Sequence, residues 1–179
     1  MNYDDVLSFW FHEIEQSQWW VKETDFDTNI ADKFSALHEQ ANKCELFEWR
    51  SSAKGRLAEI LILDQFSRNI FRDSPKAFSS DPLALALSQE AISLGKHNEL
   101  NEVERSFIYM PYMHSESLSI HNVALKLYKD NGIQSNLDFE VKHRDIIVKF
   151  GRYPHRNSIL HRVSTVEEVE FLKQPSSSF

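Results

Sequence analysis

The chain has 179 residues, enough for one domain that buries most of the surface its unfolded form exposes. Four Gly and five Pro are too few for a turn-rich β-sandwich or barrel, and a single cysteine, Cys44, excludes an internal disulfide and a cysteine-based zinc cluster. A net charge of −7 argues against broad nucleic-acid binding. The acidic N-terminus is unlike a signal peptide, and no stretch approaches the roughly 20 apolar residues that span a bilayer. We therefore expect a cytoplasmic protein without a membrane or nucleic-acid partner.

Three helices are predicted in the N-terminal half. Asp4 and Asp5 open a short one, and a longer one begins at Thr24 or Asp25, where apolar residues follow the helical period. Ser51 or Ser52 caps the third, which runs through KGRLAEILILDQF (54–66). Because that segment is apolar nearly all round, we expect it to be the central buried helix.

The C-terminal half carries stronger start and stop signals. Asp81 and the following proline begin a helix that Gly95 ends. A capping box, Asn101-x-x-Glu104, opens a helix that Pro111 must kink or end.

Four more helices complete the predicted fold. Two of them, 115–131 and 136–150, are each followed by a glycine that ends the helix. A third follows Pro154 and covers 155–162. The fourth covers 164–172 and begins at a second capping box, Ser164-x-x-Glu167. A flexible tail is expected over 173–179. No strand pattern is present, so we predict a single all-α domain (1–179) of antiparallel helix pairs in an α-α superhelix.

The first candidate site lies in LILDQFSRNIFR (61–72), at the end of the predicted central helix. Asp64 shares a strip with apolar residues, and Arg68 follows four residues later, within reach of an ion pair. A buried carboxylate needs partners because its desolvation is costly. A structural network explains Asp64 and Arg68 fully but explains Asn69 and Arg72 less well, so a ligand site stays open beside it.

The second candidate lies in YMPYMHSES (109–117), where the proline places His114 and Glu116 at a helix junction. His121 is seven residues beyond His114, about 10 Å along a helix, which is too far for both to bind one metal ion. His114 and Glu116 can transfer protons, but a structural role is the preferred interpretation of this stretch.

The third candidate is KHRDIIVKFGRYPHRN (142–157), inside a segment (142–162) with six Lys or Arg residues and one Asp, a net of +5 that leaves −12 on the remainder. His143 lies on an apolar strip of its helix, flanked by Arg144 and Asp145. Guanidinium groups and the free amides of a helix N-terminus bind anions. We therefore predict an anion site after Gly151, with Arg156 in an exposed first turn. Its predicted members are Arg152, His155, Arg156 and Asn157.

These stretches also resemble a known family. The motifs are VLSFWF (6–11), FSALHEQA (34–41), GRLAEILILDQFSRNIFR (55–72), PKAFSSDPLALALSQEA (75–91), ERSFIYMPYMHSES (104–117), HRDIIVKFGRYPHRN (143–157) and STVEEVEFL (164–172). In this order they are similar to the bacterial family called domain of unknown function 924. The resemblance implies a tetratricopeptide-like helical fold and no established activity. The chain departs from the family pattern at Ser67, where proline is usual, and at His121, where glutamine is usual, which weakens a metal role for His121.

The leading hypothesis is a pocket for a small phosphate- or carboxylate-bearing anion, with hydrolysis as the reaction class if catalysis occurs. The predicted catalytic residues are His114, Glu116, His143 and Asp145, with Glu116 or Asp145 as the base. The predicted ligand-binding residues are Asp64, Arg68, Asn69, Arg72, Arg144, Arg152, His155, Arg156 and Asn157. No metal site is predicted, and the cofactor and oligomeric state stay open. The alternative is a protein-interaction module that binds a peptide along a concave groove.

Overall fold

The computed structural model describes residues 1–175 and residue 177, and within this part of the chain the secondary structure is helical without a β-strand. The helices are α1 (Tyr3–Ser8), α2 (Thr24–Asn42), α3 (Ala53–Leu61), α4 (Ser67–Ile70), α5 (Asp81–Ser93), α6 (Glu102–Met113), α7 (Leu118–Asn131), α8 (Gln134–Phe150) and α9 (Val166–Leu172). The all-α prediction is confirmed. None of the described helices has both the length and the apolar character needed to cross a bilayer. The tail predicted over 173–179 includes residues 176, 178 and 179, which lie outside the described residues.

The centre of the fold is one helical rod. Ser52 caps α3 by accepting a hydrogen bond from the Gly55 amide, and α3 runs through a π-helical turn (Ile62–Phe66) directly into α4. Side chains of this rod are fully buried, Leu57, Leu63 and Phe66 among them, and α1, α2, α5 and α6 pack around it. The predicted central buried helix is therefore confirmed.

The C-terminal helices pack in sequence, α5 on α6, α6 on α7 and α7 on α8. The capping box of Asn101 and Glu104 forms at the start of α6. Gly132 and Gly151 end α7 and α8 with φ angles of +85° and +69°, a left-handed conformation that glycine adopts without steric cost. Local signals thus set several of the helix ends.

Two local predictions need correction, and a third is narrowed. Pro111 was predicted to kink or end helix α6; the helix continues to Met113, so the proline does not end it at its own position. The segment after Pro154 is a single 3-10 turn (Pro154–Arg156) rather than a helix to residue 162, and it is followed by irregular turns in which His161 takes a φ of +55°. The last capping box is one residue later than predicted: the Thr165 side chain accepts from the Glu168 amide, and Glu168 accepts from the Thr165 amide.

Candidate functional site

Asp64 and His114 form the best-defined polar contact in the core. Asp64 lies in the π-helical turn with 1% of its surface exposed, and its Oδ1 is 2.7 Å from Nδ1 of His114 at the C-terminal end of α6. The side-chain amide of Gln65 donates through Nε2 to the other carboxylate oxygen of Asp64, Oδ2, at 2.5 Å. Single π-helical turns inside α-helices occur often at functional sites.

The electrostatics of this pair set the tautomer of His114. Burial on its own would raise the pKa of Asp64, but His114, Arg68 and the hydrogen bonds that it accepts hold that pKa below its ordinary value. Burial lowers the pKa of His114 although Asp64 opposes the shift. An ionised carboxylate can only accept, so Nδ1 of His114 carries the hydrogen. Nε2 is then the basic nitrogen of a neutral imidazole.

Arg68 connects this pair to helix α5. Its Nη1 donates to the Asp64 carbonyl at 2.7 Å, and its guanidinium binds both oxygens of Asp81 at 2.8 and 3.1 Å. The carboxylate of Asp64 is farther away, 3.6 Å from Nη1. The main ion-pair partner of Arg68 is therefore Asp81, at the N-terminus of α5, where the helix dipole favours a negative charge.

Arg156 is buried, which corrects the prediction of an exposed first turn. Only 6% of the residue is exposed, and its guanidinium lies over the rings of Phe78 and Tyr153, 4.6 and 4.7 Å from their centroids. Nη2 donates to the His114 carbonyl at 3.0 Å, and Nη1 is 3.4 Å from Asp81. The cation–π contacts with two aromatic rings help to stabilise the inward position of the side chain.

These residues form one site, which we call the His114–Arg68 cluster: Asp64, Arg68, Asp81, His114 and Arg156. The side chains of Arg68, His114 and Asp81 are 19%, 16% and 17% exposed, so they face solvent in part, whereas Asp64 and Arg156 lie behind them. The sequence pointed to four of the five members. Asp81 was missed as a site residue because its position before a proline indicated only a helix start.

Comparison with known proteins decides the family. The model of a family described as bacterial protein of unknown function (DUF924) matches residues 6–176. The chain belongs to this family. The solved structure of a protein of unknown function from Agrobacterium tumefaciens has a TM-score of 0.90 to this chain and 37% sequence identity, and the match covers 96% of each chain. No curated protein sequence matches.

The family is described as one of unknown function, so the function of this chain is inferred from the geometry of the His114–Arg68 cluster.

Two further predicted residues adjoin the cluster through the ring of Tyr153. The rings of His143 and His155 lie 5.8 and 5.5 Å from the Tyr153 ring, and His143 also hydrogen-bonds the Phe139 carbonyl. Burial lowers the pKa of both histidines to about 3, so both are neutral near pH 7.

Two predicted ligand residues, one on α4 and one in the turn after it, bind helix α2 instead. Asn69 donates to Oδ1 of Asp27 at 2.8 Å, and Arg72 forms an ion pair with the same carboxylate. Their polar groups therefore hold α4 against α2, and neither joins the His114–Arg68 cluster.

Neither of the predicted acids, Glu116 and Asp145, joins the cluster. Glu116 binds Arg162 through both oxygens and accepts from the Tyr153 amide at 2.8 Å. Asp145 is exposed and, among the described residues, has no hydrogen bond or ion pair to the cluster. Glu116 and Asp145 are thus poorly placed to act as the base.

Two predicted ligand residues of the +5 segment, Arg152 and Asn157, contact helix α9. Arg152 and Asn157 both bind Glu168, and Asn157 also donates to Ser164, so these contacts fix α9. Arg144 donates to Asn122 at the surface.

One pocket lined by all thirteen predicted residues does not form, because nearby carboxylates neutralise most of the arginines. Among the described residues, no group of three or more His, Cys, Asp or Glu side chains is arranged to hold a metal ion.

Proposed function

We propose that the protein binds a small phosphate- or carboxylate-bearing anion at the His114–Arg68 cluster, and that His114 exchanges a proton with it. The observation that carries the proposal is the convergence of two guanidinium groups, those of Arg68 and Arg156, on one carboxylate beside a partly exposed histidine. Guanidinium groups recognise planar and tetrahedral anions through charged hydrogen bonds.

Hydrogen-bond donors rather than net charge attract the ligand. The formal charges of the two arginines and the two aspartates of the cluster sum to zero. However, Nε of Arg156 is buried without an acceptor among the described residues. A buried donor without a partner costs roughly 1–3 kcal/mol, which a ligand oxygen within reach would offset. Protonation of His114 adds one more positive charge, so anion affinity should rise as the pH falls.

The Asp64–His114 pair supports proton transfer. Asp64 orients the imidazole through Nδ1, so Nε2 is the atom at which His114 accepts a proton. With a hydrolysable acyl or phosphoryl ligand, a water molecule would give its proton to Nε2 while its oxygen attacks the ligand, and His114 would return the proton to the leaving group. This role replaces Glu116 and Asp145 as the proposed base.

The alternative is a tetratricopeptide-like module that binds a peptide in a groove. Such a module needs its recognition side chains exposed along one surface. Asp64 and Arg156 are buried, and Arg68 and His114 are mostly buried, which favours a small ligand at this cluster.

The proposal is tested by calorimetric titration with inorganic phosphate, sulfate and acetate between pH 5 and 8. We expect binding that strengthens at lower pH and that weakens at least about tenfold in His114→Gln and Arg68→Lys, each of which removes a charged or bidentate contact. Arg72→Gln is the matched control, since Arg72 is also an arginine, four residues after Arg68, but binds Asp27. Equal loss in the control variant, or binding unaffected by either cluster variant, would refute the site.

A further inference from the structure

A cleft lies apart from the His114–Arg68 cluster and shares no residue with it. It has a volume of about 220 Å³ and is formed by α6, α7 and the 3-10 turn Lys96–Glu99. The residues that matter in its lining are His97, Arg105, Tyr109, Leu127, Asp130 and Asn131. The volume is below the range of about 300–1,000 Å³ that suits drug-sized ligands, so any occupant is small.

Arg105 presents an ordered guanidinium to this cleft. Its Nε donates to Oδ1 of Asn131 at 2.8 Å, and the buried Asn131 is itself held by the Glu102 carbonyl and the Ser106 hydroxyl. Yet no carboxylate lies within 4 Å of Arg105 among residues 1–175 and 177, whereas most arginines of the chain have one. The terminal nitrogens of Arg105 thus keep their donors for a ligand.

Tyr109 adds a second donor. The residue is only 4% exposed, it lines the cleft, and its hydroxyl has no hydrogen-bond partner within the described structure. Burial raises the pKa of Tyr109, while Arg105 lowers it and Asp130 raises it, so a cation and an anion both lie near this hydroxyl. The phenol keeps its proton and can donate.

The cleft therefore holds a cation, a neutral donor and an anion around a small volume. We propose that it binds a small α-amino acid. Arg105 and the Tyr109 hydroxyl would take the carboxylate, Asp130 would take the ammonium group, and Leu127 would contact a short side chain. The Asn131 contact orients the guanidinium in advance, which reduces the entropy lost on binding.

The test is a nuclear magnetic resonance titration of the ¹⁵N-labelled protein with L-alanine, acetate and methylammonium. L-Alanine should shift amide signals of residues 97, 105, 109 and 130, with acetate and methylammonium each at least about tenfold weaker, because each lacks one charged contact. Arg105→Gln should abolish the alanine response. Tyr109→Phe should weaken it several-fold, and Asp130→Asn should reduce alanine to the affinity of acetate.

Arg144→Gln is the control, because Arg144 is the other arginine without a carboxylate within 4 Å among the described residues, and it lies outside this cleft. It should leave the alanine titration unchanged. Absence of shifts at these four residues at tens of millimolar alanine would overturn the proposal. So would acetate that binds as tightly as alanine, or alanine binding that survives in the Arg105 variant. Tyr109→Phe and Asp130→Asn decide the matter if Arg105→Gln does not fold.

Discussion

Asp64 and His114 are fifty residues apart in sequence, and the carboxylate of one lies 2.7 Å from the imidazole of the other. The contact joins the π-helical turn of the central rod to the C-terminal end of α6. It positions the imidazole from its buried side and leaves the opposite nitrogen as the basic one. The ionisation of the two residues is therefore linked, and it can be measured directly.

The first prediction concerns the pKa of His114. In the native protein it should lie below the ordinary value of about 6.5, because burial disfavours the imidazolium. Asp64→Asn removes the one nearby charge that most favours the imidazolium, so the pKa should fall further. The measurement is a pH titration of the His114 ring signals by nuclear magnetic resonance. A pKa that rises or stays unchanged in Asp64→Asn would show that the carboxylate does not act on the imidazole.

The second prediction concerns stability. Asp64→Ala leaves the Nδ1–H donor of His114 without its acceptor, whereas Arg68 keeps Asp81, so the free energy of unfolding should fall by roughly 1–3 kcal/mol. Asp145→Ala is the control, because that carboxylate is exposed, and its effect should fall within about ±0.5 kcal/mol. Urea unfolding of the two variants measures the difference. A loss below about 1 kcal/mol for Asp64→Ala would mean that the pair behaves like a surface ion pair.

Local sequence signals predicted the fold well for a physical reason. The capping box of Asn101 and Glu104, the serine cap of α3 and the glycine ends of α7 and α8 involve residues within a few positions of one another. The apolar character of residues 54–66 likewise follows from the chain itself. Where the prediction slipped by one residue, at Thr165, two adjacent pairs had the same capping spacing.

The site was harder to predict because its partners are distant in sequence. The +5 segment looks like an anion site on its own, but Glu168, Glu116 and Asp81 neutralise its arginines from 16, 46 and 75 residues away. Neither periodicity nor spacing carries that information. The pair of Asp64 and Arg68 was found because four residues bring the two side chains to one helix face.

The third prediction concerns pH and His143. Its pKa in the folded state is about 3, whereas in the unfolded chain it returns to about 6.5. The unfolded state therefore binds one more proton between these values, and stability falls as the pH drops through that window, by about 1.4 kcal/mol per pH unit. His143→Gln should remove this part of the slope. Unfolding free energies between pH 6.5 and 4.5 measure it, since most carboxylates remain ionised there; an unchanged slope would contradict the assignment.

The fourth prediction separates a buried Arg156 from an exposed one. Its guanidinium contacts two aromatic faces, Asp81 and the His114 carbonyl, so Arg156→Ala should lower the free energy of unfolding by about 2–4 kcal/mol. We expect a smaller loss than for a variant that leaves a buried charge unpaired, because Asp81 remains in an ion pair with Arg68 after Arg156 is removed. Arg156→Met retains an apolar stem beside the rings and removes the buried Nε donor that has no acceptor among the described residues, so it should recover at least half of that loss.

Arg144→Ala supplies the control for this comparison, since that side chain makes a single surface hydrogen bond and should change stability by no more than about 0.5 kcal/mol. Chemical denaturation of the three variants at pH 7 gives the comparison. If Arg156→Ala is as stable as the Arg144 control, the guanidinium is solvated and does not bridge the 3-10 turn to α5 and α6. If Arg156→Met is no better than Arg156→Ala, the charge rather than the packing of the stem accounts for the stability that Arg156 contributes.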